Sequence, residues 1–371
     1  MDNSANWYKA DNIEGIDSPA LLIYQDRVTS NISKMIEIAG GVHRLRPHVK
    51  TYKMPEIVSM QMAAGINQFK CATISEAEML GMVEAPDVLL AYQPTGPKID
   101  RLLKLVENYP KTSFSALIDN AQTAKDISDN SIEKNPFLNV FIDLDTGNHR
   151  TGISPDLALN LYEECSKLSG IKIVGLHAYD GHLRNNDFNE RKNLCDVAFL
   201  PVDELRKQII ALYQDELDII AGGTPTFKCH ALRGKYVICS PGTCLLWDWG
   251  YHKKFPDYDF SFAALVISRI ISKVGSDRIT LDLGHKAIAS ENPLPRVHFL
   301  NMPEGEQVSH SEEHLVLQVK DNSKYKVGEL FYCVPYHICP TVSLYSEAEI
   351  VKNGSVSDKW QVIARDRVIG V

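Results

Sequence analysis

Leu138-Asn139-Val140-Phe141-Ile142-Asp143-Leu144-Asp145 has a continuous apolar centre, Val140-Phe141-Ile142, and ends on carboxylates. A strand with one wet face alternates apolar and polar residues. A continuous apolar run of this length instead reads as a parallel strand covered on both faces. Val88-Leu89-Leu90-Ala91 repeats the pattern. Working outward, comparable short runs fall at 43–49, 68–73, 87–92, 114–119, 138–145, 172–179, 218–223 and 236–240. Helical patterns lie between them. Ser75-Glu76-Ala77-Glu78 has the spacing of a capping box with Ser75 as N-cap. Residues 155–169 and 196–214 carry apolar spacings of three and four. Strand and helix alternating eight times is the pattern of an α/β fold, a (β/α)8 TIM-like barrel. A doubly wound sheet shares the alternation, and counting does not separate the two.

The rhythm changes after about residue 258, where helical patterns give way to alternating stretches such as Phe262–Ser268, Leu315–Val319 and Leu330–Val334. They predict a mostly antiparallel β domain. An early strand-like run, Pro19–Tyr24, is free to join it. The expected division is therefore a barrel over residues 26–257 and a discontinuous β domain from 1–25 and 258–371.

At 371 residues the chain is long enough for a large core. Hydrophobic residues are 44% and charged residues 23%, ordinary for a folded soluble protein. Lys plus Arg is 39 against 47 Asp plus Glu, a net charge of −8. That balance opposes nucleic-acid binding through the overall field. No apolar run is long enough to span a membrane, so no membrane partner is expected. The opening Met1–Trp7 lacks a basic patch followed by an apolar stretch. The 8 cysteines are scattered without a CxxC pair. Together these predict a cytoplasmic protein with reduced thiols.

In a barrel the chemistry sits at the C-terminal ends of the strands. The first run ends Arg46-Pro47-His48-Val49-Lys50, the sixth His177-Ala178-Tyr179-Asp180-Gly181-His182, and the seventh Gly222-Gly223-Thr224-Pro225-Thr226. Pro241-Gly242-Thr243 follows the eighth. Lys50 is a candidate Schiff-base lysine, since apolar or cationic surroundings make a lysine amine nucleophilic; alone it also reads as a surface lysine in a basic stretch. The glycine-threonine turns allow backbone N–H groups to approach an anion closely, although each alone is also an ordinary turn. A lysine after strand one facing an anion cup after strands seven and eight is what pyridoxal 5'-phosphate needs. His337-Ile338-Cys339 is a third feature. On an extended segment, residues i and i+2 point the same way, so an imidazole and a thiolate would converge as Zn²⁺ ligands. A buried cysteine beside a hydrogen-bonded histidine is the plainer reading. His314 and His182 are further candidates for that metal.

Five segments occur in a telling order: Arg46-Pro47-His48-Val49-Lys50-Thr51, Asp143–Gly152, Gly222–Thr226, Ser311–His314, and Pro335-x-His337-x-Cys339-Pro340-Thr341-Val342. In these the chain resembles the D-threonine aldolase / D-serine dehydratase family of alanine racemase-like, fold-type III pyridoxal phosphate enzymes, over about residues 19–362. The resemblance implies a barrel plus a β domain and a homodimer. It makes Lys50 the cofactor lysine and places Arg150 and Tyr179 at the pyridine ring, with the contact to its nitrogen left open between them. It assigns Gly223, Thr224, Gly242 and Thr243 to the phosphate. His337 and Cys339 become ligands of a divalent metal, zinc first, with manganese or magnesium as alternatives. Lys50, Tyr179 and His182 form the expected catalytic set. Two positions depart from the pattern. Tyr52 stands where many relatives have histidine. Cys339 stands where the aldolases tend to carry aspartate and the dehydratase-like members cysteine.

The expected activity is a metal-assisted lyase on small 3-hydroxy-D-amino acids, by β-elimination to a keto acid and ammonia. The same site run as an aldolase gives glycine and an aldehyde. A racemase has no use for a metal at the β-carbon. A non-catalytic carrier of pyridoxal phosphate is the reading from another class, and the β domain with His337 and Cys339 opposes it.

Overall fold

The computed structural model describes residues 6–134, 137–302 and 304–371. Residues 1–5, which open the stretch searched for a leader and the expected β domain, lie outside the described residues. The chain forms two compact units: Met1–Ser33, Thr51–Met54 and Thr243–Arg365 in one; Lys34–Lys50, Pro55–Gly242 and Asp366–Val371 in the other.

Strand β1 (Ala20–Tyr24) belongs to the first unit. The second holds seven parallel strands in chain order: β2 (Gln68–Cys71), β3 (Asp87–Leu90), β4 (Ser113–Ile118), β5 (Leu138–Leu144), β6 (Ile171–Ala178), β7 (Asp218–Ala221) and β8 (Val237–Cys239). The first predicted run does not form a ladder strand. It makes isolated parallel bridges on both sides, Leu45 with Cys239 and His48 with Lys70. Pro47 has no N–H to give, but its carbonyl accepts from Lys70 N (2.9 Å), and Arg46 N donates to the Cys239 carbonyl (2.9 Å). The segment thus fills the eighth place between β8 and β2.

Leu89, Leu117, Phe141, Ile220 and Ile238, from five different strands, pack together as one buried cluster. Phe141 fits because residue 175 is glycine. A Cβ there would stand 2.5 Å from Phe141 Cε1 and 2.7 Å from the Asp218 carbonyl. The β5–β6 register shifts at Val140/Phe141, beside this contact. The helix after β2 spans Ile74–Met82, and its N-cap is Thr73 rather than Ser75. Thr73 Oγ1 accepts from Glu76 N (3.1 Å), and Glu76 Oε2 reaches past the cap to accept from Ala72 N (2.6 Å), a variant of the capping box two residues earlier.

The first unit continues with β9 (Ala264–Val274), β10 (Arg278–Leu281), β11 (Val297–Phe299), β12 (Glu306–His310), β13 (Leu315–Gln318), β14 (Leu330–Pro335), β15 (Glu347–Lys352) and β16 (Ser355–Gln361). They form a mostly antiparallel sheet in the order β12-β13-β10-β9-β1-β15-β16, with β14 pairing β9 and β11. The leading strand joins as expected: β1 lies antiparallel to β9 and parallel to β15. Leu22, Tyr24, Leu265, Ile267, Tyr332 and Val334 are the centre of its core.

Residues 26–33 and 243–257, expected with the barrel, group with this sheet instead. Asn31 Nδ2 donates to the carbonyls of Leu245 (3.0 Å) and Ser261 (2.8 Å). Trp247 is fully buried against Tyr251, Tyr258 and Phe260. Among the described residues, no helix is long and apolar enough to cross a membrane.

Candidate active site

In the barrel unit, three cations gather around the ring of Tyr179, which follows β6. Lys50 Nζ lies 5.9 Å, Lys70 Nζ 5.8 Å and Arg150 Cζ 4.8 Å from the ring centroid. The structure therefore brings Lys50, Arg150 and Tyr179 together. The ring is held between two glycines: a Cβ on Gly223 would stand 3.0 Å from Tyr179 Cε2, and one on Gly181 2.3 Å from Tyr179 Cζ. Arg150 sits on a loop folded over one carboxylate. Asp145 Oδ1 accepts from Gly147 N (2.9 Å) and His149 N (3.0 Å), and Oδ2 meets His149 Nδ1 (2.8 Å). His182 lies outside this cluster. It is exposed on the turn after Gly181, with Nε2 3.2 Å from where a Gly147 Cβ would stand.

Lys70 was not expected here. It is buried, and its Nζ lies 3.5 Å from His177 Nε2. Burial, with the positive charges of Lys50 and Arg150 adding to it, lowers its pKa to about 7 against the pull of Asp143 and Asp180. His177 Nδ1 in turn meets Asp143 Oδ1 (2.7 Å). Gln93 Nε2 donates to Asp143 Oδ2 (2.8 Å) and Asp119 Oδ2 (2.9 Å), and Gly152 N to Asp119 (3.2 Å). Burial pushes Asp143 up, yet hydrogen bonds from His177, Thr151 and Gln93 outweigh it and hold it below the ordinary carboxylate range. A polar network thus joins the C-terminal ends of β2 to β6. The signal for Lys70 in the sequence is Phe69-Lys70-Cys71, a lysine between two apolar residues of a short strand.

The glycine turn after β7 holds Gly222 at φ +67°, where a side chain is strained. Thr224 Oγ1 accepts from Gly242 N (3.2 Å), which ties this turn to the segment after β8. Beneath it lies a buried group. Asp180 Oδ1 accepts from Thr226 Oγ1 (2.6 Å), and Oδ2 meets His230 Nε2 (2.8 Å) and Cys195 Sγ (3.5 Å). Asp180, Cys195 and His230 place ligand atoms within 4.8 Å of one another, close enough for a metal ion.

In the antiparallel unit, His337 and Cys339 are brought together, but not on an extended segment. Chain pairing stops at Pro335; His337 caps a short helix, Ile338–Val342, and Cys339 stands in its first turn. Asp248 fixes the turn by accepting from Ile338 N (3.1 Å), and Gly250 N donates to the Tyr336 carbonyl (2.9 Å). Cys339 Sγ lies 3.3 Å from Thr51 Oγ1 and 3.5 Å from Thr243 Oγ1. The Thr243 hydroxyl, assigned by resemblance to the phosphate, therefore faces the thiol. Burial pushes the Cys339 thiol up, but His337 and Thr51 outweigh it and lower its pKa. Burial likewise opposes the His337 charge, yet Cys339 and Glu291 raise its pKa to about 9. His337 Nδ1 is hydrogen-bonded to Glu291 Oε1. An imidazole whose second nitrogen is held by a carboxylate, beside a thiolate, is a donor set that suits zinc. His314 is on an exposed turn between β12 and β13.

The residues also fit pyridoxal phosphate. Lys50 Nζ has no hydrogen-bond partner among the described residues and points at the Tyr179 ring. A glycine-rich turn packs against the same ring.

Comparison with known proteins places these features in a family. The profile of the alanine racemase N-terminal domain matches residues 23–210. The chain belongs to that family. The profile of a putative serine dehydratase domain matches residues 263–351 in the antiparallel unit. D-threonine aldolase of Arthrobacter sp is 28% identical, covering 96% of this chain and 94% of its own. D-serine dehydratase of Dictyostelium discoideum is 23% identical, covering 92% and 95%. The crystal structure of D-threonine aldolase from Filomicrobium marinum superposes with a TM-score of 0.88 at 25% identity, over 95% of this chain and 97% of that one. The alanine racemase-like architecture and the resemblance read from the motifs both stand on these matches.

Proposed function

We propose that this protein is a lyase of 3-hydroxy-D-amino acids that uses pyridoxal phosphate and a divalent metal and eliminates the β-hydroxyl, giving a keto acid and ammonia. When bound, the cofactor supplies an electron sink at the α-carbon and the metal a Lewis acid at the β-oxygen. Lys50 holds the cofactor through its unpaired amine. Lys50 Nζ would also serve as the base for the α-proton. Arg150 and Tyr179 would flank the cofactor ring, and the turns at Gly223, Thr224 and Gly242, tied together by the bond from Gly242 N to Thr224 Oγ1, would line the phosphate.

His337 and Cys339 hold the metal, and Glu291 fixes the His337 tautomer by accepting from Nδ1. That pair is the observation that carries the reading. A racemase or a carrier needs no such donor set, and the cysteine favours elimination over aldol cleavage. The similarity to D-threonine aldolases favours the second reading, cleavage to glycine and an aldehyde.

Incubation with D-threonine decides between them. 2-Oxobutanoate and ammonia are expected. Glycine and acetaldehyde would move the assignment to the aldolase. No turnover of D-serine, D-threonine or 3-hydroxy-D-aspartate by metal-replete, cofactor-loaded protein would leave a carrier.

A further inference from the structure

The buried group under the glycine turn has no part in the function above, yet it is fully built. Asp180, Thr226 and His230 are each at most 3% exposed. Asp180 takes the single hydroxyl proton of Thr226, so Thr226 Oγ1 can only accept from the other side. What faces it there is Gly223 N, at 3.4 Å. A Cβ on Gly222 would meet Thr226 Oγ1 at 2.7 Å and His230 Cδ2 at 2.6 Å, so both side chains press on the underside of the turn.

His230 is fixed in turn. Arg233 Nε donates to His230 Nδ1 (3.2 Å), which leaves the Nε2 hydrogen for Asp180. Arg233 also contacts Cys195 Sγ (3.6 Å). A guanidinium against both His230 and Cys195 repels a dication, and the Asp180 oxygens are already filled. Among the described residues these contacts satisfy the cluster without a metal, and they favour a positioning role.

We infer that Asp180 is a positioning residue that, through Thr226 and His230, sets the Gly222–Thr224 turn for a phosphate. The inference rests on the pyridoxal phosphate reading above. Asp180 directly follows Tyr179, so one carboxylate ties the residue carrying the ring to the turn that packs against it. Removing the Thr226 hydroxyl frees Gly223 N from its acceptor and leaves Asp180 Oδ1 unpaired.

The test compares pyridoxal phosphate with pyridoxal, which has the same aldehyde and no phosphate. Both are titrated into full-length protein stripped of cofactor, followed by the visible absorbance of the lysine-bound form. For Thr226→Val, affinity for pyridoxal phosphate should fall about tenfold, because the turn loses the Thr226 contact that holds Gly223 N and Asp180 Oδ1 is left without its partner. Affinity for pyridoxal should stay within about twofold, and Thr226→Ser should restore both. Asp180→Asn keeps the shape and is the second variant should Thr226→Val misfold. Equal losses for the two aldehydes, or no loss for either, would overturn the positioning role and leave the cofactor assignment intact. Wild-type protein that binds neither aldehyde through Lys50 would overturn both.

Discussion

Lys70→Met is the sharpest test of the polar network. The lysine is buried with a pKa of about 7, whereas a free lysine stands at 10.5. Below pH 7 both folded and unfolded chains carry the proton, and folding bears the full cost of burying the charge. Between pH 7 and 10.5 the unfolded chain holds the proton and the folded one does not, so stability rises with pH through this window. Above it the contribution is constant. Each pH unit is worth about 1.4 kcal/mol at that site. Methionine fills the space without a titrating group. The stability of Lys70→Met minus that of the wild type should therefore shrink by about 4 kcal/mol between pH 7 and pH 10. Urea unfolding of both proteins without cofactor, at one-unit pH steps and with equal m-values, measures the difference. Taking the difference cancels the other lysines, tyrosines and cysteines that titrate in the same range. A gap that does not change with pH would show that Lys70 keeps its proton into alkaline solution, and the account of the network would fail.

Lys50→Ala should abolish the visible absorbance of the protein-bound cofactor while melting like the wild type; a retained band would mean another lysine holds it. Glu291→Gln should weaken metal binding by about tenfold or more, measured by competition with a chromophoric chelator, because His337 Nδ1 loses its carboxylate. Unchanged affinity would remove Glu291 from the metal's support. Gly175→Ala should destabilise the barrel unit by about 1–3 kcal/mol in urea, since its new methyl meets Phe141 and the Asp218 carbonyl inside 3 Å; no loss would show that the strand shifts freely at this point.

The parallel strands were legible because burial on both faces leaves continuous apolar runs such as Val140-Phe141-Ile142. The first run was legible in place but not in form, because Pro47 interrupts the ladder it was expected to make. The helix cap was misplaced by two residues since Thr73-x-x-Glu76 and Ser75-x-x-Glu78 overlap, and the Ala72 N–H selects the earlier frame. Lys50, Arg150 and Tyr179 could be read from strand ends and motif order. Lys70, Gln93, Asp143 and His177 could not be read as a group. Their association depends on which strand tips become neighbours, and that is a property of the closed sheet. The helical turn at Ile338 depends likewise on Asp248, ninety residues earlier in the chain.

Gln93 has a consequence beyond its two hydrogen bonds. Its amide nitrogen carries two hydrogens, and each goes to a carboxylate on a different strand tip, Asp119 after β4 and Asp143 in β5. The tie is neutral, so it holds two negative groups apart at a fixed spacing without cancelling either. Asparagine is one methylene short of the span, and glutamate would set three like charges face to face. A lysine would reach, but it would quench the negative charge of Asp143 that Lys70 feels. The electrical balance of the barrel mouth thus turns on a side chain that carries no charge.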